Sequence, residues 1–582
     1  MKFLRFLTSL LIIILCHFNQ LFAQVYIEPG VQRELKEKGF SSCVLAFQPL
    51  ILKDKIPANL SKTEKGNTAY NLLKNHLKDN ILESCTILDK SKIKYRINYL
   101  SSTINAYHCP EAIVIQLAGL ANVKAVLYNY SFDGIKGDFQ ENSGGNRDSY
   151  TWGIIKTEAN VIQELGYRGQ GAVVGGNDTG FDWTHPAITT RYRGYNNGGV
   201  DHNYNWHDAI HEVSPLSNPN QNNPCGLSLT APCDDHSHGT HTVGTMVGVK
   251  EDNEVIGMAP EAKWIGTRNM ERGNGSLQSY LEALDWFLAP TDTNDLNPDP
   301  AKSPHVINNS WYCSEEEGCN VDNWNLMQVS IANLKAAGIV VVASAGNSGP
   351  RCESIAFVPG MLDEVFSVGA TNQVDTIAGF SSRGLVTADG SNRLKPDIAA
   401  PGVGVLSSIL NHQYSYSSGT SMAGPHVAGL VALMVGANPD LAGQVDTIQE
   451  IIKRTADPLT LDQNCNGLSG LDIPNPIYGH GRINAFKAVT AAINHGTNKT
   501  VSNKYHSLQL YPNPANDQLV IGGWLNDGAV HVEICDMNGK PVFSSILNQR
   551  YSALNLEPVP PGSYLVRAIA DRSVYIGKFV KI

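Results

Sequence analysis

Gly171-Ala172-Val173-Val174-Gly175-Gly176-Asn177-Asp178-Thr179-Gly180 reads as a buried strand that carries a carboxylate to its C-terminal end. Parallel α/β sheets gather their ligands at that end. The pattern returns in Gly338-Ile339-Val340-Val341-Val342-Ala343-Ser344-Ala345-Gly346-Asn347-Ser348-Gly349-Pro350, an apolar run that closes on an Asn flanked by glycines. Such runs alternate with segments of helical spacing from about Tyr150 to Asn494. The expected fold of that unit is α/β, a parallel sheet flanked by helices.

Two further segments carry chemistry. In Asp234-Asp235-His236-Ser237-His238-Gly239-Thr240-His241-Thr242-Val243-Gly244, the glycines at 239, 244 and 248 let a helix pack closely against its neighbours. His238 and His241 are three apart, but the metalloprotease pattern H-E-x-x-H is absent and no carboxylate lies between them, so no metal ligand is assigned. In Ser417-Ser418-Gly419-Thr420-Ser421-Met422-Ala423-Gly424-Pro425-His426-Val427-Ala428-Gly429 a loop becomes a helix. Ser421 then sits near the positive end of the helix dipole, where a developing oxyanion is favoured. Pro425 lacks the N–H that would bond the carbonyl of residue 421, which loosens the first turn. The amide of Asn347 is a second donor suited to an oxyanion.

In the order Asp178, His238, Asn347, Ser421, these segments resemble the subtilisin-like serine proteases, and within them most closely the bacillopeptidase F branch. The resemblance extends through Trp152-Gly153-Ile154, Gly257-Met258-Ala259-Pro260, Asn308-Asn309-Ser310-Trp311, Phe380-Ser381-Ser382-Arg383-Gly384 and Leu394 to Gly402. It implies a serine endopeptidase acting on protein or peptide substrates, with Ser421 as nucleophile, His238 as general base and Asp178 as its orienting partner. Asn347 and the backbone N–H of Ser421 would form the oxyanion hole. Asn309, Ser310, Trp311 and Tyr312 would line the substrate cleft as an edge strand, opposite Ser344, Ala345 and Gly346. Tyr312 stands where the family usually has Gly, so a narrowed primary pocket is expected. The competing class is a non-catalytic binding protein on the same fold, against which the intact set of four residues speaks.

The ends of the chain are read separately. Residues 1–23 have the layout of a secretory signal peptide: Lys2 and Arg5, an apolar core from Leu10 to Leu15, and a small residue at Ala23. Residues 24–147 read as a small α+β unit, with helical periodicity from Ala69 to Leu82. By resemblance they form a propeptide that assists folding and inhibits the cleft, with self-cleavage near Glu141 to Tyr150. Residues 148–494 are the peptidase unit and 495–504 a polar linker. Residues 505–582 alternate as short strands with turns at Asn538-Gly539 and Pro561-Gly562, a small β-sandwich. Leu510-Tyr511-Pro512-Asn513-Pro514 and the ending Gly577-Lys578-Phe579-Val580-Lys581-Ile582 resemble type IX secretion sorting domains. That resemblance implies contact with the type IX machinery and export through the outer membrane, to the medium or the cell surface.

The 582 residues are 42% hydrophobic and 17% charged, and 44 basic against 54 acidic residues give a net charge of −10. No basic footprint for nucleic acid is present. Cys225, Cys233, Cys313, Cys319, Cys352 and Cys465 fall in the peptidase unit. Six allow fifteen pairings; a local Cys225–Cys233 bridge beside the base is preferred, and one bridge among Cys313, Cys319 and Cys352 would tie the cleft walls. No cofactor is required. The acidic loops Glu315-Glu316-Glu317 and Asp457 to Asp462 leave structural calcium open.

Overall fold

The computed structural model describes residues 25–133, 135, 139–140, 149–196, 198–217, 223–313, 320–495, 506–522, 530–536, 541–547, 551–570 and 573–582. The leader, nearly all of the expected 141–150 junction and of the linker, the Glu315-Glu316-Glu317 loop, Cys319 and the Asn538-Gly539 turn lie outside them.

Seven strands form the central sheet, in the spatial order Trp206–Asp208, Lys263–Arg268, Val173–Asp178, Val306–Asn309, Val340–Ser344, Phe366–Thr371, Ile398–Pro401. Every pairing is parallel. Alternate residues of these strands enter two different cores, as the twofold side-chain period requires. Val306, Val340 and Val342 pack with Val243, Met246 and Val427 on one face. Ile307, Val341 and Ala343 pack with Tyr280, Leu284 and Ile331 on the other. Helices His238–Val247 and Thr420–Ala437 cover the first face, and Leu277–Leu288 and Val321–Ala336 the second. Thr420–Ala437 is long and apolar enough to cross a membrane, but 83% of it is buried inside the protein; it is a core helix.

The strand order reverses between Val173–Asp178 and Val306–Asn309. At such a point the connecting loops leave in opposite directions and open a crevice at the carboxyl ends of the strands. Register aligns those ends: Asn177 lies opposite Asn309, and Asn309 opposite Ala343. Val306–Asn309 is therefore interior to the sheet, and of the edge strand expected over Asn309 to Tyr312 only Asn309 is in a strand. Ser310, Trp311 and Tyr312 follow it outside any strand.

The N-terminal unit is α+β: a five-stranded sheet in the order Tyr26–Ile27, Ala125–Tyr128, Phe40–Ala46, Thr103–Pro110, Tyr95–Asn98, with helices Pro29–Lys38, Lys62–Lys90 and Glu111–Ala118. The long helix begins at a capping box in which Ser61 and Glu64 bond each other's backbone. In the C-terminal unit two mainly antiparallel sheets share one core around Leu519, Val532, Val566 and Phe579. Strands Val530–Cys535 and Pro541–Leu547 pair as the expected hairpin arms.

Cys225 is bridged to Cys233, as preferred from the sequence. Cys352 is bridged to Cys465, and Cys313 is also disulfide-bonded. The Cys352 bridge thus runs to a distant loop, separation 113, and does not tie the cleft walls to each other. Asp457 does not suit calcium: its two oxygens hold Lys487 and Arg482, each at 2.6 Å, so cations of the chain already neutralise it. Among the described residues no three His, Cys, Asp or Glu side chains gather as a metal site.

Candidate active site

Asp178 ends its strand at the sheet's reversal point and is wholly buried. Its Oδ1 accepts from the Thr179 N–H at 2.8 Å and from His238 Nδ1 at 2.7 Å. A carboxylate facing Nδ1 fixes the tautomer: Nδ1 carries the hydrogen and Nε2 keeps its lone pair. Thr242, one turn further along the His238 helix, donates to Oδ2 at 3.4 Å.

His238 is the first residue of its helix, and the preceding Ser237 makes no side-chain cap. Asp234 supplies the cap. Its Oδ1 accepts from the N–H groups of His236 and Ser237 at 2.9 and 3.0 Å, and its Oδ2 from the N–H and hydroxyl of Thr240 at 3.0 and 2.6 Å. Thr179 donates to Asp234 at 2.9 Å and accepts from the Gly239 N–H at 3.0 Å, locking the helix start to the residue beside Asp178. A Cβ at Gly239 would collide with the Gly180 carbonyl, so only glycine permits this approach. The role of Asp234 is not evident from the motif alone; its signal is an acid just ahead of the helix start, where orphan N–H groups need an acceptor.

His241 faces away from this pair. Its Nε2 lies 3.1 and 3.2 Å from the carbonyls of Val405 and Ser415. Burial, with His238 nearby, pushes its pKa down to about 3, so it stays neutral. His426, pushed down to about 4 by burial, is equally neutral and bonds the Met422 carbonyl at 2.9 Å.

Ser421 lies in the first turn of Thr420–Ala437, with Pro425 inside that helix. The carbonyl of Ser421, deprived of its helical donor, accepts from the Ser310 hydroxyl at 2.8 Å. Reciprocally the Ser421 hydroxyl donates to the Ser310 carbonyl at 3.1 Å. Asn308 Nδ2 donates to Ser310 Oγ at 2.8 Å and steadies the pair. The Ser421 hydroxyl thus rests on the Ser310 carbonyl rather than on the imidazole.

Asn347 is anchored by its oxygen, which accepts from the Thr420 N–H at 3.0 Å and the Thr420 hydroxyl at 2.8 Å. This fixes the carboxamide beside Ser421 and turns its NH2 edge away from Thr420. Gly346 donates its N–H to Thr420 Oγ1 at 3.2 Å, which binds the second wall to the same helix start. The Ala345 N–H donates to Val368 at 3.0 Å within the sheet.

The remaining wall residues divide. Ser310 reaches Ser421 directly. Asn309 does not line the cleft: its amide accepts from Asn177 at 2.9 Å and donates to the Val342 carbonyl at 3.2 Å inside the sheet. Trp311 is 1% exposed and packs on Tyr280, centroids 3.7 Å apart. Tyr312 is buried and stacks on Phe357 at 5.5 Å and 21°. The Phe357 segment links the Tyr312 and Ser344 segments, since Cys313 donates to the Val358 carbonyl at 3.0 Å and Gly360 packs on Ser344. Not evident from the sequence is the strand Asn274–Ser276, which lies between Met270–Glu271 and Ser131–Asp133 of the N-terminal unit and pairs antiparallel with both.

Residues 169–481, more than half of the chain, match the Subtilase family. Residues 509–582 match the secretion system C-terminal sorting domain, which marks the chain for export to the cell surface or beyond. Bacillopeptidase F of Bacillus subtilis (strain 168) is 39% identical over 355 residues, 59% of this chain but 22% of that protein. Serine protease AprX of the same organism is 34% identical over 285 residues, 45% of this chain and 59% of that protein. Subtilisin Savinase of Lederbergia lenta is 29% identical over 338 residues, 58% of this chain and 97% of that protein. The chain therefore spans less than two thirds of the first two relatives, and its match to the family covers the positions of Asp178, His238, Asn347 and Ser421. This chain belongs to the subtilase family of subtilisin-like serine proteases.

Proposed function

We propose that the chain is an exported serine endopeptidase made as a self-processing precursor, with Ser421, His238 and Asp178 as its triad. The observation that carries this reading is the 2.7 Å Asp178–His238 bond at the carboxyl end of the sheet, with Ser421 at a helix start beside Asn347. On substrate binding, Ser421 Oγ turns from the Ser310 carbonyl to His238 Nε2, a tightening common when a resting site meets its substrate. Oγ then bonds the scissile carbonyl carbon while Nε2 takes its proton. Asp178 stabilises the imidazolium, and the Asn347 amide with the Ser421 N–H receives the oxyanion. Collapse breaks the C–N bond, with the proton passed from His238 to the leaving amine. Water, activated by the same imidazole, hydrolyses the acyl-enzyme.

The stacked rings of Tyr312 and Phe357 narrow the pocket for the residue before the scissile bond, and small side chains are favoured there. The N-terminal unit serves as propeptide and inhibitor, and the C-terminal unit engages the type IX export machinery. Casein hydrolysis by the processed protein tests the reading. Ser421→Ala should abolish hydrolysis, and Asp178→Asn should lower kcat by roughly 10⁴-fold with the fold intact, because the imidazole is left in the wrong tautomer. Full activity in either variant sinks the triad.

A further inference from the structure

Asn347 sits in a turn that is bound from three directions. Toward Ser421, its oxygen and the Gly346 N–H both bond Thr420. Residues 380–383 hold the turn through its backbone: the Ser348 N–H donates to Ser382 Oγ at 3.0 Å, the Gly349 N–H to the Phe380 carbonyl at 2.8 Å, and the Ser382 N–H to the Gly346 carbonyl at 3.0 Å. A Cβ on Gly349 would collide with the Ser381 carbonyl, so the two segments touch backbone to backbone. The third hold comes from a residue 113 positions further along the chain.

That residue is Gln463, which leads into a small antiparallel hairpin, Asn464–Cys465 with Leu468–Ser469. Its carboxamide joins both segments: Nε2 donates to the Pro350 carbonyl at 3.2 Å, and Oε1 accepts from Arg383 Nη1. The Cys352–Cys465 bridge fastens the hairpin to the same end of the turn. Gln463 is held in turn by its own backbone, which donates to Leu461 at 2.7 Å and accepts from the Gly470 N–H at 2.8 Å. Arg383 is buried, and its backbone bonds Ser354 in both directions at 2.9 Å. An oxyanion donor works by being aimed, before reaction, at the place where charge develops. A misplacement of about 1 Å, even from a change remote from the chemistry, costs on the order of 10²-fold.

We infer that Gln463 is a positioning residue for Asn347, fixing the turn from its far end so that the amide donor stays aimed at the oxyanion. The inference rests on the peptidase reading with Asn347 as that donor. Loss of the Gln463 carboxamide uncouples Pro350 from Arg383 and lets the turn drift, while Ser310 and Thr420 keep their own bonds to the Ser421 helix and to Asn347. An interaction made only in the transition state is weakened, so the cost falls on kcat and not on KM.

A double-mutant cycle on the processed protein tests this, with kcat and KM measured on a peptide p-nitroanilide that wild type cleaves and normalised to fluorophosphonate-labelled Ser421. Variants that do not process themselves are matured with a trace of tagged wild type, which is then removed. Gln463→Met keeps the length of the side chain and removes both bonds; it should lower kcat by about tenfold with KM within roughly twofold of wild type. Asn347→Ala should lower kcat by roughly 10²–10³-fold, and the double variant should lose no more than Asn347→Ala alone, because nothing is left to position. Wild-type kcat in Gln463→Met, a loss confined to KM, or losses that multiply in the double variant overturn the inference and leave the peptidase reading intact. Wild-type kcat in Asn347→Ala overturns the oxyanion role and the inference with it. Should Gln463→Met not fold, Gln463→Glu, which keeps the acceptor for Arg383 and removes the donor to Pro350, is judged by the same outcomes.

Discussion

On its N-terminal side the peptidase unit receives a half-buried arginine; on its C-terminal side it receives a ring and an aliphatic chain. Arg96 of the N-terminal unit pairs with Glu282 and lies 2.5 Å from Asp295, while His207 and His211 approach the same Glu282 oxygen at 2.8 and 2.7 Å. Tyr107 donates to the other Glu282 oxygen at 3.3 Å. Around this cluster Asn333 reads three backbone groups of the unit, at Leu50, Leu52 and Leu100, each at 2.9 Å. Asp285 accepts from the Leu100 N–H at 2.8 Å, and Lys62 donates to the Ser303 carbonyl and hydroxyl at 2.8 and 2.6 Å. The C-terminal unit instead places His531 over Phe486, centroids 4.2 Å apart, and Ile546 against the peptidase core. A buried ionic interface is specific and can be unmade by protonation or by loss of one partner, whereas a small apolar contact only tethers. The first arrangement suits the proposed propeptide, which seals a site and then leaves. The second suits a unit whose business is export.

The largest expected effect comes from breaking the ionic cluster. Arg96→Ala strands the buried Glu282 with its histidines and should weaken the hold on the N-terminal unit by about 3–5 kcal/mol. Processed protein should then lose its N-terminal fragment on gel filtration at neutral pH, where wild type retains it; equal retention would show that the strand pairing alone holds the unit.

Acidification toward about pH 7 should act in the same direction. Burial and the Arg96 guanidinium push the His207 pKa down, but Asp295 and Glu282 outweigh them and leave it above the ordinary histidine value. Glu282 is held well below the usual carboxylate range, burial being overcome by Arg96, His211 and His207. Asp285, which accepts from the Leu100 N–H of the N-terminal unit, is pushed up to about 7 by burial. Lys62 is pushed down to about 7 by burial against Ser303 and regains its proton on separation. By linkage, Lys62 weakens association as pH falls from its ordinary value toward 7, whereas Asp285 strengthens it as pH falls through 7 toward the ordinary carboxylate value. As pH is lowered, retention of the N-terminal fragment should fall by roughly tenfold per pH unit above about 7.5 and recover below 7. Lys62→Gln should flatten the fall and Asp285→Asn the recovery; an unchanged curve in either variant would remove that group from the account.

Smaller effects belong to the other interface. His531→Ala, on the C-terminal unit's side of the contact, should cost that contact about 1 kcal/mol and leave casein hydrolysis within roughly twofold of wild type. Truncation after Asn494 should likewise spare catalysis while abolishing export. A truncated protein without activity would show that the C-terminal unit supports the peptidase fold.

What could be read from the sequence was chemistry confined to short segments. Asp178 ends an apolar run, Ser421 opens a helix weakened by Pro425, and Asn347 sits between glycines; each is visible where it stands. Pairings between distant segments left no such trace. Asn309 to Tyr312 looked like an edge strand because nothing local shows that Val306–Asn309 is flanked on both sides. Nor do residues 131–133 display a partner some 140 residues away. The Cys352–Cys465 bridge was hidden for the same reason, while Cys225–Cys233, eight apart, was legible. The Asp234 clamp falls between these cases: local in sequence, but meaningful only once Thr179 is brought against the His238 helix.

The central claim is that Ser421 is a nucleophile sealed by the chain's own N-terminal unit. Labelling with a fluorophosphonate probe tests it most directly, followed over time beside Ser421→Ala and aligned with loss of the N-terminal fragment. The account predicts that wild-type label appears in step with that loss and that the variant never labels. Label on Ser421→Ala, or no label on folded wild-type protein free of its N-terminal unit, would contradict it.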